Sequence, residues 1–306
     1  MKEMGQPNLR LRGMESMASI PTSERTEHRP PGFLVAFADW IADWGRVTID
    51  SIVDVGRFTL FVFETLRWLL TRLPKPETLW PAFYQVGVLS LPVVALTGTF
   101  IGMVLAVHSY GQFEAMNLET RLGAVINKSL VSELGPVLAA TMLAGRVGSA
   151  MAAELGTMRV TEQIDALASM GANPIYYLVV PRLLACLLLI PVLTIMADFM
   201  GVFGGHSFSV YVFNIDMHHY WSNSAEYVMN FDIFSGLAKS LFFGATIALV
   251  ACYQGFYCGA GAEGVGRAAT ASFVYSFVII LILDLVLNLQ LESLYRTLWP
   301  DQARLL

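Results

Sequence analysis

Residues 86–107 read VGVLSLPVVALTGTFIGMVLAV and contain no charged side chain. About 20 apolar residues in a helix are enough to cross the roughly 30 Å hydrocarbon core of a bilayer, so this stretch predicts a transmembrane helix. Four apolar stretches of similar length follow, at residues 130–153, 178–203, 233–256 and 268–291. We therefore predict an all-α integral membrane protein with about five transmembrane helices.

The composition of the whole chain agrees with a membrane location. Its 306 residues are 55% hydrophobic and 14% charged, whereas a soluble domain usually has about 25% charged residues. The formal net charge of −5 argues against nucleic acid as a partner, because nucleic-acid-binding domains carry basic patches. The three cysteines lie in apolar stretches without metal-ligand spacing, which predicts packing rather than disulfides or a metal site.

Small residues recur four positions apart within the apolar stretches, as in Gly98 with Gly102 and Gly201 with Gly205. Helices in lipid associate by close approach of their backbones, which small residues allow. The pattern predicts a tightly packed bundle and gives no information on a substrate.

The chain before the spans is different. Residues 1–32 are polar, lack the apolar core of a secretory signal, and predict a disordered cytoplasmic tail. In residues 33–76, charges recur in steps of three, four or seven, which places them on one stripe of an amphipathic helix. Such a helix is typical of the membrane interface, although periodicity also permits a membrane-crossing helix or one that packs on a soluble partner. The transmembrane domain is then residues 77–295, and residues 296–306 form a short C-terminal tail.

Basic residues near the membrane predict the orientation of the chain. The N-terminal tail and the loops with Arg159 and Arg267 are basic, whereas the intervening loops are mainly acidic. Since cytoplasmic loops are enriched in lysine and arginine, this modest asymmetry predicts a cytoplasmic N-terminus. Five crossings would place the C-terminus on the other side.

Ionisable side chains inside the apolar stretches are costly in lipid and are therefore candidates for function. They are Glu133, Arg146, Asp198, Lys239 and Asp284. Glu133 is the strongest candidate because Leu134-Gly135-Pro136 follows it, and a proline can break or start a helix. The alternative is that these side chains only pair between helices, for example Arg146 with a carboxylate, and that Lys239 marks the membrane edge.

The polar segment between the second and third stretches has its own helical pattern. Thr161 is a suitable N-cap, Glu162 lies in the first turn, and Gly171 followed by Pro174 predicts the end of the helix. Residues 161–171 are thus expected to form a short cytoplasmic helix. It is either an ordinary surface helix or one that docks into a groove of a soluble partner.

Motifs of enzymes are weak or absent in the sequence. Gly259 to Gly264 match GxGxxG, but they follow a membrane helix instead of a strand, so they do not predict a dinucleotide site. The sequence has no Walker A, HExxH or GxSxG motif. His218 and His219 are expected in a polar surface loop. We therefore expect a chain that is not an enzyme and binds no metal or cofactor itself.

Residues 133–185, ELGPVLAATMLAGRVGSAMAAELGTMRVTEQIDALASMGANPIYYLVVPRLLA, resemble the MlaE/YrbE family, the permeases of MCE-type ABC transporters. Residues 238–274 are similar as well, as are the shorter stretches 98–107 and 197–205. The resemblance covers about residues 80–290.

The resemblance implies a homodimer in the bacterial inner membrane, with two cytoplasmic ATPase subunits and a ring of MCE lipid-binding proteins. Such transporters move phospholipids or related lipids between the inner membrane and an outer layer, and the ATPase binds the ATP and Mg. The resemblance further implies that Glu133, Leu134 and Leu105 border the central lipid cavity. It implies that residues 162–171 are the coupling helix. The expected contacts with the ATPase are Glu162, Gln163, Asp165, Leu167, Met170 and Gly171.

Two points stay open at this stage. Some relatives have an arginine at the position of Ser132, which leaves the headgroup preference open; Lys128, one turn earlier, is a candidate substitute. The main competing function is a stand-alone ion-coupled transporter that uses Glu133, Arg146, Asp198 and Asp284 as a relay, although we find no internal repeat of the kind that such proteins often contain. A membrane scaffold without transport is a third alternative.

Overall fold

The structure is a computed structural model that describes residues 33–72 and 74–298. The described residues form helices and connecting turns, without a strand, which confirms the predicted all-α class. The tail predicted at residues 1–32 lies outside the described part, as do residues 299–306.

Eleven α-helices are present in the described residues. They are α1 (Phe33–Thr71), α2 (Pro76–Val86), α3 (Leu91–Ala115), α4 (Leu122–Ser129), α5 (Gly135–Leu143), α6 (Ser149–Val160), α7 (Gln163–Ser169), α8 (Val180–Tyr211), α9 (Met217–Tyr227), α10 (Asn230–Phe256) and α11 (Gly261–Leu298).

Five helical segments are long and apolar enough to cross a membrane, as predicted. We call them span 1 (Pro76–Ala115), span 2 (Glu119–Val160), span 3 (Ile175–Tyr211), span 4 (Asn230–Phe256) and span 5 (Gly261–Thr297). Most extend beyond the predicted apolar stretches, because a helix continues into polar sequence outside the hydrocarbon as long as no breaker intervenes. Spans 1 and 2 are composite: span 1 joins α2 to α3 through a 3₁₀ turn at Val88–Ser90, and span 2 joins α4, α5 and α6.

The predicted amphipathic helix is present as α1, but it ends at Thr71, five residues before the predicted boundary. Pro76 then opens α2 at a position where a helix tolerates proline. The chain divides into one unit up to Val55 and a second from Gly56 onward. Within the second unit, Phe61 is 3% exposed and packs edge-to-face on Tyr253, with ring centroids 5.7 Å apart.

Helix α9, between spans 3 and 4, was not predicted. The expectation of a polar loop at His218 and His219 is wrong, because both residues lie in the first turn of this helix. Asp216 caps the turn: its Oδ1 accepts hydrogen bonds from the backbone N–H of His218 at 2.6 Å and of His219 at 3.3 Å. These two bonds stabilise the carboxylate and lower the pKa of Asp216.

Spans 1 and 3 approach each other at their glycines. A Cβ on Gly102 would overlap the backbone carbonyl of Gly201, and a Cβ on Gly98 would lie 2.5 Å from the carbonyl oxygen of Ala197. Backbone atoms of a packed helix cannot move aside as a flexible side chain can. The prediction that small residues mark close helix contacts is therefore confirmed at this pair of spans.

We expect Gly102→Ala to destabilise the protein by about 1–3 kcal/mol, the usual cost of overpacking, because spans 1 and 3 must separate. Gly111→Ala is the matched control in the same helix, since no atom lies within 4 Å of a Cβ at that position. That substitution should be neutral or stabilising, because alanine favours a helix more than glycine does. Thermal unfolding of the two detergent-solubilised variants measures the difference; equal melting temperatures would contradict the proposed backbone contact.

Candidate functional site

Span 2 contains a π-helical segment at Leu130–Leu134, which ends two residues before Pro136, the proline that was expected to break or start a helix. The backbone N–H of Gly135 donates to the carbonyl of Leu130, five residues earlier. Pro136 has no N–H, so it cannot donate to the carbonyl of Ser132, four residues earlier. The span continues through the proline, and the Ser132 carbonyl lacks the α-helical donor that a residue other than proline at position 136 would supply.

Lys239 of span 4 supplies the missing donor. Its Nζ donates to the Ser132 carbonyl at 3.0 Å, and its side chain is only 1% exposed. Lys239 therefore lies inside the bundle, enclosed by neighbouring helices. A buried ammonium is stable only where acceptors and counter-charges surround it.

Two carboxylates provide the counter-charge. Nζ of Lys239 lies 3.4 Å from Oε1 of Glu133 and 3.5 Å from Oδ1 of Asp284. Asn288, one turn after Asp284, donates from Nδ2 to Oε2 of Glu133 at 2.9 Å and to Oδ2 of Asp284 at 3.3 Å. Glu133, Lys239, Asp284 and Asn288 thus join spans 2, 4 and 5, and we call them the charged cluster.

Exposure differs sharply within the charged cluster. The Glu133 side chain is 47% exposed, compared with 19% for Asp284. The cluster carries one cation and two carboxylates, so its formal net charge is negative. Glu133 therefore presents a fixed hydrogen-bond acceptor on the surface of the bundle, while Lys239 is enclosed behind it.

Asn288 belongs to the cluster but was not singled out from the sequence. The signal was its position four residues after Asp284, which places both on the same helix face. A neutral amide among apolar residues draws less attention than a charge, although its two N–H donors are what connect the two carboxylates.

Arg146 is not part of the cluster, and its partner on another span is not the carboxylate that the alternative named as an example. It lies in a second π-helical segment, Ala144–Gly148, and its Nη1 donates to the hydroxyl of Ser90 at 2.6 Å. Ser90 belongs to the 3₁₀ turn of span 1. Arg146 therefore links spans 1 and 2 through a neutral partner.

Asp198 of span 3 is also separate from the charged cluster. A Cβ on Gly135 would overlap its Oδ1, and this oxygen is buried without a hydrogen-bond partner among the described residues. The four side chains of the ion relay considered above therefore do not come together. Glu133 and Asp284 both lie next to Lys239, whereas no ion pair of the described residues connects them to Arg146 or Asp198.

The two residues expected to border a cavity with Glu133 occupy different environments. Leu134 ends the π-helical segment next to Glu133 and is half-buried. Leu105 of span 1 packs instead with Leu122, Ile126 and Ile215 in a separate apolar cluster. A common cavity for these residues stays a prediction.

The helix predicted at residues 161–171 is shorter and is capped differently. It is α7, Gln163–Ser169, and the N-cap position is Glu162, with a left-handed φ of 59°. Thr161 as N-cap is wrong, because α6 continues to Val160 and the Thr161 hydroxyl donates back to the carbonyl of Thr157 at 2.8 Å. The predicted end at Gly171 is confirmed by its φ of 77°.

Helix α7 is held on the bundle by one face only. Ile164 is 2% exposed and anchors the helix, whereas Met170 is 73% exposed. Glu162 and Gln163 are exposed and Leu167 is half-buried. Asp165 forms an ion pair with Arg159 at 2.5 Å, so its charge already has a partner in the chain. The largest exposed apolar side chain at this helix is Met170, which directly follows its last residue.

The model of the family Permease MlaE matches residues 79–290 of the chain. A probable ABC transporter permease protein of Rickettsia felis is 42% identical over 238 residues, which cover 78% of this chain and 92% of the relative. The chain belongs to the MlaE permease family. The intermembrane phospholipid transport system permease protein MlaE of Haemophilus influenzae is 33% identical, covering 82% of this chain and 96% of that protein. The chloroplastic protein TRIGALACTOSYLDIACYLGLYCEROL 1 of Arabidopsis thaliana is 39% identical, covering 90% of this chain and 78% of that protein.

The region that matches the MlaE model includes the whole charged cluster and α7. Helix α1 precedes this region. In the described part of this MlaE-family permease, no group of three His, Cys, Asp or Glu side chains could hold a metal ion. The half-exposed Glu133 and the exposed surface of α7 both lie within this region, and their functional roles stay predictions.

We expect Lys239→Met to destabilise the permease by on the order of 3 kcal/mol, because two neighbouring carboxylates lose their cation. Adding Asp284→Asn should restore part of the loss, since it removes one of the unpaired charges. Thermal unfolding of the purified protein measures both effects, with Lys128→Met, on the half-buried face of α4, as the control. A Lys239→Met variant that melts like the unmodified protein would show that Lys239 does not hold the cluster together.

Proposed function

We propose that this chain is the permease subunit of an ABC transporter that moves phospholipids or related lipids between the bacterial inner membrane and an outer layer. An MCE-domain protein would receive or deliver the lipid, and a separate ATPase would bind ATP and Mg and drive the cycle. Family membership and the name of the Haemophilus relative support the lipid assignment. The observation that carries it is the charged cluster, with Glu133 half-exposed within span 2.

The chemistry of the cluster suits an amphipathic substrate. Glu133 can accept hydrogen bonds from a lipid headgroup or from water around it, because its carboxylate is oriented by Lys239 and Asn288. Apolar side chains beside it on span 5, such as Leu281 and Leu285, are 45% and 63% exposed. Acyl chains that cover such surfaces gain about 0.8 kcal/mol for each buried CH₂ group.

The distribution of burial supports a homodimer around a lipid cavity. In the most apolar 18-residue segment of each span, only 22% is buried in span 1 and in span 5, compared with 50% in span 3 and 56% in span 4. Spans 3 and 4 thus form the interior of one copy, while spans 1 and 5 offer faces to other molecules. We propose that two copies place spans 1, 2 and 5 around a common cavity that opens toward the MCE partner.

The ATPase would dock on α7, and its closure would move the bundle through that helix. The ion pair between Arg182 and Glu154, at 2.9 Å, fastens spans 2 and 3 near this end, so a push on α7 would reach both spans. Asn173 beyond α7 donates to Glu64 of α1 at 3.4 Å. This part of α1 therefore lies at the same end of the bundle as α7.

Substitution of Glu133 tests the lipid pathway. In the reconstituted transporter, Glu133→Ala should lower lipid transfer by about tenfold, which corresponds to the loss of a hydrogen bond to a charged group. Glu133→Gln should have a smaller effect, because an amide oxygen can still accept from Asn288. Glu226→Ala, on the exposed surface of α9, is the control. Normal transfer with both Glu133 variants would remove this residue from the pathway.

Substitution of Met170 tests the coupling surface. Met170→Asp should abolish co-purification of the ATPase, because it places a charge at the exposed apolar end of α7. This variant is sharper than a charge reversal at Asp165, which would also break the ion pair with Arg159. Met217→Asp is the matched control: Met217 is 57% exposed and lies at the start of α9, at the other end of the bundle. Normal assembly and ATP turnover of Met170→Asp would contradict docking on α7.

A further inference from the structure

A small pocket with a basic wall lies where the end of α1, the start of α2 and the start of span 3 meet. It has a volume of about 140 Å³, and its walls include Arg72, Lys75, Thr78 and Tyr177. Space for a single water molecule begins at about 10–15 Å³, so the pocket has room for a larger polar group such as a phosphate. Tyr177 follows α7 by only a few residues, so the pocket lies at the end of the bundle that carries α7.

Two prolines bring the basic side chains together. Pro74 and Pro76 flank Lys75, whose backbone is extended, with a φ of −66° and a ψ of 146°, because a residue before proline avoids the helical conformation. The chain thus turns between α1 and α2, and Arg72 and Lys75 come to line the same pocket. The start of α2 adds the positive end of a helix dipole, which favours an anion at the same place.

The two cations have no counter-charge in the part of the chain that the structure describes. Neither Arg72 nor Lys75 forms an ion pair with a described residue. Glu64, the last carboxylate of α1, accepts a hydrogen bond from Asn173, and Glu77 of α2 does not line the pocket. The lining residues therefore carry one positive charge from each cation and no negative charge, which an anion would compensate.

Helix α2 and span 3 run side by side in the same direction. Lys75 and Tyr177 line the same pocket, and twelve residues further along each helix come Gly87 and Leu189. A Cβ on Gly87 would lie 3.2 Å from Cδ1 of Leu189. Twelve residues of α-helix extend over about 18 Å, so the furrow between the two helices leads from the pocket toward the apolar middle of the spans.

An apolar groove of about 280 Å³ lies in this furrow. Its walls include Tyr84, Val88 and Val192, which are between 51% and 56% exposed. Trp80 also lines the groove, two residues after Thr78 of the pocket, and tryptophan in membrane proteins is enriched at headgroup depth. A basic pocket followed by an apolar groove matches a molecule with an anionic head and a hydrocarbon tail.

We propose that this pocket binds the phosphate of an anionic phospholipid that stays outside the transport pathway. Arg72 and Lys75 bond to the phosphate oxygens, the hydroxyls of Thr78 and Tyr177 donate to them, and the acyl chains cover the groove. Basic pockets between membrane helices on the cytoplasmic side bind anionic headgroups in other proteins, and the proposed function puts the α7 end in the cytoplasm. An acidic surface of the ATPase would match the pocket but not the groove.

This lipid goes beyond the proposed function, because it holds the end of α1 and the start of α2 together instead of being transported. The charged cluster belongs to spans 2, 4 and 5, whereas the pocket belongs to α1, α2 and span 3. The two sites therefore share no helix.

Photo-crosslinking tests the proposal in the assembled transporter. p-Benzoylphenylalanine replaces Tyr84, and the vesicles contain phosphatidylglycerol and phosphatidylcholine in equal amounts, with one or the other radiolabelled. The labelling ratio of phosphatidylglycerol to phosphatidylcholine should exceed one at Tyr84. It should be about one at Phe203, which is 55% exposed on span 3 and lines neither the pocket nor the groove.

Removal of the charges should lower the ratio at Tyr84. Arg72→Gln and Lys75→Gln should each lower the excess by about fivefold, the effect of one basic residue near an anionic surface, and the double variant should bring the ratio to one. Arg72→Lys, which keeps the charge, should retain most of the excess. Arg267→Gln is the matched control, because Arg267 is an exposed cation near the start of span 5, at the same end of the bundle and outside the pocket.

Three outcomes overturn the proposal. A ratio of about one at Tyr84 in the protein with all its charges would show contact with bulk lipid only. An excess that persists in the double variant would show that the two cations do not bind the lipid, and loss of the ATPase from that variant would assign them to the protein partner. An excess that inorganic phosphate removes, and potassium chloride of the same ionic strength does not, would show a site for a small anion.

Glu133→Ala separates this site from the transport pathway. The excess at Tyr84 should persist in this variant, whatever happens to lipid transfer. Loss of the excess with Glu133→Ala would show that the labelled lipid is the transported one, and the distinct site would be wrong. Unchanged lipid transfer together with a persistent excess would contradict the role of Glu133 in the proposed function and leave the anionic-lipid site supported.

Discussion

The bundle depends on a buried ammonium group that completes a helix. Because Pro136 cannot donate a hydrogen bond, span 2 leaves the carbonyl of Ser132 open, and Nζ of Lys239 fills this position at 3.0 Å. The same ammonium then requires counter-charge, which Glu133 and Asp284 provide. A backbone defect in span 2 is thus linked to the placement of spans 4 and 5. Any substitution at Lys239 removes both the donor to span 2 and the counter-charge of the two carboxylates. The charged cluster therefore matters both for the packing of the spans and for the chemistry of Glu133.

Close backbone contacts hold the spans around this cluster. Besides the contact of spans 1 and 3, Gly244 of span 4 lies against the backbone of Cys186 in span 3, and Gly255 lies against that of Ala152 in span 2. Contacts between backbones leave little freedom for sliding. The interior of one copy is therefore rigid, and we expect movement during transport to occur at the less buried faces of spans 1 and 5.

The distribution of polar groups separates three surfaces with different chemistry. Glu133 presents a charged acceptor beside the apolar face of span 5, α7 presents Met170 at one end of the bundle, and a cavity at Asp198 and His206 opens on span 3. In our proposals the first two surfaces serve the transported lipid and the ATPase. The separation has a physical origin: Gly236 brings spans 2 and 4 into contact, which divides the polar side chains into two groups.

The sequence by itself determined the helical class, the number of spans, the close contacts at glycines and the helix end at Gly171, because each depends on local composition or spacing. It also indicated Glu133, since a carboxylate in an apolar stretch is costly wherever it lies. Only the tertiary structure decided which polar groups meet. The partners of Lys239 come from spans 2 and 5, with Glu133 and Asp284 151 positions apart in the chain, and Arg146 bonds to a serine of span 1. The capping of α7 and the existence of α9 were not predicted, because a short polar segment has too weak a pattern to indicate its own ends.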